Sequence, residues 1–159
     1  MLIQQAAAVA TVESCTGGLI GQRITAIPGS SAAYVGGFVT YTNELKIRSV
    51  GVLPKTLDAH GAVSKETCTE MAVGGLDRTG ADYAIAVTGI AGPGGGSPDK
   101  PVGTVWIGVA ARAGKRDIRR FQFTGDRDRI RQHSATMALA MLWGMLAKKE
   151  RLELFWEAK

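Results

Sequence analysis

Residues Ala6 to Val12 form an apolar run too short for a stable helix, and its continuity predicts a buried strand. From Gly18 to Ile27 the apolar positions Leu19, Ile20, Ile24 and Ile27 fall at helical spacing, and Pro28-Gly29-Ser30-Ser31 supplies a stop. Phe38 to Tyr41 reads as a strand, after which Thr42 or Asn43 can cap a helix carrying Leu45, Ile47 and Val50. A third helix is predicted from Ser64 to about Leu76, ending at Arg78-Thr79-Gly80. Ala81 to Val87 is another buried strand, and Val102 to Ala110 with Ile118 to Thr124 forms a hairpin about Ala113-Gly114-Lys115. Asp126 to about Lys149 reads as a long amphipathic helix. Strands alternate with helices before the hairpin arrives, which predicts an α/β fold with a mixed sheet covered on both faces. The first strand lies so near Met1 that cover for its flank is expected from a partner subunit or from a segment missing at the start.

Composition narrows the picture. The 159 residues, 45% of them apolar, suit one domain spanning residues 1–159, with no linker or composition break. No run approaches the roughly 18 apolar residues of a membrane span. Two cysteines, Cys15 and Cys68, give no disulfide framework and predict a cytoplasmic setting. A formal charge of +5 favours an anionic partner, a phosphorylated small molecule or nucleic acid. The basic residues around the hairpin lack interleaved aromatics, so a nucleic-acid platform is poorly supported. No His, Cys or carboxylate cluster has metal-ligand spacing.

Candidate chemistry concentrates in Glu13-Ser14-Cys15-Thr16-Gly17-Gly18, a strand-to-helix turn offering two hydroxyls, a thiol and backbone N–H groups. A serine needs a base, and His60 and His133 are the only histidines. Lys46 is an alternative base. It would need its pKa lowered by about three to act near neutral pH, roughly 4 kcal/mol of differential stabilisation. Desolvation can supply that, while a solvated helix lysine is the competing reading. Cys15 is either a thiolate nucleophile at a helix N-terminus or packing beneath the turn. The loop Thr88 to Gly96 resembles a phosphate cradle but lacks a P-loop ending. Gly125-Asp126-Arg127 opens the last helix, where an anion would be favoured.

These motifs occur in one order. Glu-Ser-Cys-Thr-Gly-Gly from Glu13, Gly-Ser-Ser from Gly29 and Gly37-Phe38-Val39-Thr40-Tyr41 precede Asn43-Glu44-Leu45-Lys46 and Gly61-Ala62-Val63-Ser64. Thr88-Gly89-Ile90-Ala91-Gly92-Pro93, Lys100 to Val105 and Gly125-Asp126-Arg127 follow. From about residue 7 to the last helix the series resembles the CinA C-terminal domain family, whose enzymes are nicotinamide-nucleotide amidohydrolases. The resemblance implies a three-layer α/β/α sandwich that deamidates nicotinamide mononucleotide (NMN), with no metal or organic cofactor. It implies Ser14 as nucleophile, Lys46 and Tyr41 as its catalytic partners and Arg127 as a functional arginine. Thr16, Gly17 and Gly18 are then expected to cradle the oxyanion and ligand, with Ser30, Ser31, Thr88, Gly89 and Arg127 gripping the substrate. Family members commonly form dimers or larger assemblies, and usually carry a helix before the first strand that this sequence lacks. A non-catalytic nucleotide-binding or interaction protein of the same fold is the rival reading.

Overall fold

The computed structural model describes residues 1–158 and holds one five-stranded sheet in the order β2-β1-β3-β4-β5. β1 (Val9–Glu13) lies parallel to both β2 (Tyr34–Val39) and β3 (Tyr83–Gly89). β4 (Thr104–Ala111) and β5 (Arg116–Gln122) complete the sheet as an antiparallel hairpin. Every residue of β1 is buried, which explains its unbroken apolar pattern: a central parallel strand has both faces covered.

Helices α1 (Leu19–Thr25) and α5 (Arg127–Leu146) cover one face, where Ile20, Ile85, Ile107, Phe121, Ile130 and Met141 share a core. The other face lies under α2 (Asn43–Val50), α3 (Pro54–His60) and α4 (Lys65–Thr79), around Val12, Val50, Leu57, Met71 and Leu76. Each such side chain contributes about 1.5–3 kcal/mol when fully buried. The result is the three-layer sandwich with a mixed sheet.

Three elements differ from the sequence reading. β2 begins at Tyr34 rather than Phe38 and ends before Tyr41. Its Gly36-Gly37 pair weakens the strand pattern, as glycine is depleted in strands. Helix α3 is an addition to the predicted elements, and Pro54 stands in its first turn, a favoured place for proline. The last helix ends at Leu146, and the chain then folds back along β5: Gln122 N donates to Trp156 O and Ala158 N to Arg120 O, both at 2.9 Å. Trp156 stacks on His133 with ring centroids 4.5 Å apart. At the other end of the chain, an exposed 3-10 turn (Ile3–Gln5) precedes β1. Among the described residues, no helix is long and apolar enough to cross a membrane.

Candidate active site

The parallel strands all point their C-terminal ends toward one crevice, the usual ligand position in an open α/β sheet. Ser14 follows β1 directly and is held there by its N–H, which donates to Val87 O at 2.9 Å. Glu13, the last residue of β1, is buried, and its carboxylate accepts from the N–H groups of Gly18 (3.1 Å), Ile20 (3.0 Å) and Gly21 (2.8 Å). Gly18 reaches this geometry at φ 95°, a backbone region that suits glycine. The positive end of α1 is thereby closed by a carboxylate from its own chain. Arg131 secures the same turn by donating to Thr16 O at 3.1 Å.

Lys46 approaches from α2. Thr42 caps that helix by accepting from Leu45 N at 3.2 Å. Gly74 in α4 lets the end of α2 come close: a Cβ at this position would sit 1.8 Å from Val50 O. Lys46 is only 1% exposed, and its Nζ donates to Thr40 O at 2.8 Å and lies 3.2 Å from Ser14 Oγ. Thr40 in turn donates its N–H to Glu13 O at 2.8 Å, so the β1 and β2 termini and the lysine are braced together. Burial holds the Lys46 ammonium below its ordinary pKa of 10.5. The solvated-lysine reading is therefore wrong for this chain.

Cys15 resolves the other way. It is buried, and desolvation pushes its thiol up to about 12, so it stays protonated near neutral pH. Burial raises the Cys68 thiol as well.

Tyr41 and Arg127 form the outer lip. The Arg127 guanidinium donates to Tyr41 Oη at 2.8 Å and to Gly92 O at 2.7 Å, and its helix is capped by Asp126, which accepts from Arg129 N. Thr88 Oγ1 donates to Ala62 O at 2.7 Å and ties β3 to the loop before α4. Ser14, Cys15, Tyr41, Asn43, Lys46, Thr88, Gly89 and Arg127 line one open cleft of about 220 Å³ with Ala62, Val63 and Ala91. Among the described residues, no three His, Cys, Asp or Glu side chains gather as a metal site.

Other expected residues lie elsewhere. Thr16 is fully buried, and neither it, Gly17 nor Gly18 lines the cleft. The Gly17 N–H donates to Ser14 O and the Gly18 N–H to Glu13, so these two glycines hold the turn rather than a ligand. Ser30 and Ser31 form a 3-10 turn before β2, beside the N-terminal end of β1, where Val9 N donates to Ala33 O. A parallel crossover returns the chain to the start of the sheet, so this turn is at the opposite end from Ser14.

Sequence reasoning passed over Glu13, Thr40 and Asn43. Glu13 had a visible signal, an acidic residue between a buried strand and a helix start. Thr40 contributes a backbone carbonyl, which no side-chain pattern reveals.

Comparison with known proteins identifies the family. Residues 1–146 match the CinA C-terminal domain. The chain is 52% identical over 137 residues to the Nicotinamide-nucleotide amidohydrolase PncC of Escherichia coli K12, covering 86% of this chain and 83% of that protein. It is 46% identical to a CinA-like protein of Chlorobaculum tepidum, matching 96% of this chain but spanning only 36% of that longer protein. Among solved structures, a competence/damage inducible protein from Agrobacterium tumefaciens superposes with a TM-score of 0.90 at 46% identity, covering 91% of this chain and 88% of the other. A competence damage-inducible protein from Klebsiella pneumoniae gives 0.89 at 39% identity, with 94% and 92% covered. The chain belongs to the CinA C-terminal domain family.

Proposed function

We propose that this protein is an amidohydrolase that converts NMN and water to nicotinate mononucleotide and ammonia. The observation that carries the reading is the buried Lys46 amine 3.2 Å from Ser14 Oγ, in a cleft whose lip presents Arg127. The match to PncC supplies the substrate, a carboxamide carried on a phosphorylated nucleoside.

In the reaction, Ser14 Oγ attacks the amide carbon as neutral Lys46 takes its proton. Thr40 O accepts from the same amine and keeps its lone pair turned to the serine. The N–H of Cys15, a residue that lines the cleft, takes the oxyanion role in place of the two glycines. Among the described residues no carbonyl or carboxylate engages it. Such a donor is worth about 3 kcal/mol in the transition state. The C–N bond then breaks as Lys46 returns the proton to the leaving nitrogen, releasing ammonia. Water attacks the ester, Lys46 accepts its proton, and nicotinate mononucleotide leaves as Ser14 regains a hydrogen. Arg127 receives the phosphate, and Tyr41, bonded to it, sets its direction. Two buried free thiols fit a reducing cytoplasm.

Incubation with NMN should yield equal amounts of nicotinate mononucleotide and ammonia. Turnover no higher than that of Ser14→Ala would sink the reading.

A further inference from the structure

Asn43 is the first residue of α2, the position just inside the cap. An asparagine at a helix start usually serves the helix itself, by accepting from a free backbone N–H. Here Thr42 takes that role through Leu45 N at 3.2 Å, and Asn43 is left exposed on the cleft wall. The other polar side chains of the wall are already engaged. Lys46 reaches Ser14 and Thr40 O, Arg127 reaches Tyr41 Oη and Gly92 O, and Thr88 donates to Ala62 O. Among the described residues, the Asn43 carboxamide has no hydrogen-bond partner, although it carries both donors and an acceptor.

Its place relative to Lys46 decides what it meets. The two residues are three apart on α2, so their side chains are neighbours on one face of the helix. Lys46 stands on the β2 side of Ser14, bonded to Thr40 just after that strand. Thr88 belongs to β3, on the other side of β1. In the reaction the carbonyl oxygen turns to the Cys15 N–H, and the leaving nitrogen lies within reach of Lys46, which protonates it. That nitrogen therefore comes up against Asn43 rather than Thr88.

We propose that Asn43 positions the leaving nitrogen of the substrate carboxamide, its Oδ1 accepting one amide N–H so that the nitrogen lone pair turns toward Lys46. Resonance holds an amide nitrogen planar and leaves it no lone pair to protonate until the carbon becomes tetrahedral. Once Ser14 has added, the nitrogen is pyramidal, and it takes the Lys46 proton only when its lone pair faces the amine. The contact strengthens as the nitrogen gains positive charge, because a hydrogen bond to an ionised group is about twice as strong as a neutral one. It therefore acts more on breakdown of the tetrahedral adduct than on binding. A leaving ester oxygen carries no hydrogen and gains nothing from Asn43. The site is thereby selective for a primary amide over an ester of the same acid. This assignment rests on the amidohydrolase reading, which supplies the carboxamide.

NMN and the methyl ester of nicotinate mononucleotide give the same acyl-enzyme and differ only in the leaving group, so the pair isolates this contact. Asn43→Ala should lower kcat/KM for NMN by about 10- to 100-fold, and the NMN-to-ester ratio of kcat/KM by a similar factor. The urea midpoint should not move, because Asn43 is exposed and is not the cap. Calorimetry in the Ser14→Ala background reads the same contact without turnover. There Asn43→Ala should weaken NMN by about 3- to 10-fold and the ester by less than about twofold. No preferential loss of the amide, in turnover and in binding, overturns the role of Asn43 and leaves the amidohydrolase reading standing. If the unmutated chain hydrolyses neither compound, the amidohydrolase reading fails, and the two affinities still decide whether Asn43 reads the amide. A chain that binds neither compound overturns both.

Discussion

Glu13 and Lys46 are both buried, both carry an ionisable group, and both reach the turn that holds Ser14. Their surroundings differ. The Glu13 carboxylate accepts three backbone N–H groups at the start of α1, so its charge is matched by hydrogen bonds and a helix dipole. Lys46 has only a carbonyl and a serine oxygen, and no carboxylate bonds to it among the described residues. A buried charge that is fully engaged holds structure together, while one left short of partners gives up its charge and becomes reactive. The same turn thus has a rigid side and a chemically active side.

Substitution should separate the two sides. Lys46→Met should lower kcat for NMN by at least about 1000-fold, since removing one member of a nucleophile–base pair costs nearly as much as removing both. Ammonia release measures this, and a variant within tenfold of wild type would break the contrast. Glu13→Ala should instead appear in stability. It strands three donors, at about 1–3 kcal/mol for each that water cannot reach. Urea unfolding should show a loss of at least about 3 kcal/mol, whereas Lys46→Met should lose no stability.

The pH dependence carries the same sign. Folded Lys46 releases its proton below 10.5, so the unfolded chain binds more protons between the lowered value and 10.5. Stability should rise with pH across that window, and Lys46→Met should flatten the rise. Turnover should climb as Lys46 loses its proton, with a midpoint below 10.5.

Tyr41→Phe removes a hydroxyl bonded to Arg127, and should reduce kcat/KM by about 10- to 100-fold, the loss of one charge-assisted hydrogen bond. The smallest effect belongs to Cys15→Ala. A protonated thiol takes no part in the chemistry, so kcat should change less than about tenfold, read from the same ammonia assay.

Much of the fold was legible because continuous apolar runs mark the two central strands and apolar spacing marks the longer helices. The sequence pattern shows only the end of β2 because glycine carries little strand signal, and the strand tolerates those glycines because it lies at an edge. The nucleophile turn was visible in its residue types. The base was not decided by spacing, since burial of Lys46 depends on α4 pressing against α2 at Gly74, a contact between distant segments. The Gly17-Gly18 expectation failed for a related reason. Glycines at a helix start suit a ligand and internal acceptors equally well, and here Ser14 O takes the Gly17 N–H and Glu13 the Gly18 N–H.

Lys46, buried with only a carbonyl and a serine oxygen for partners, is predicted to be neutral when it meets Ser14. Carbon-detected NMR titration of the Lys46 side chain, assigned by comparison with Lys46→Met, measures this directly. A midpoint well below 10.5 is the predicted result, and a lysine that stays protonated up to 10.5 or beyond would rule it out as the base.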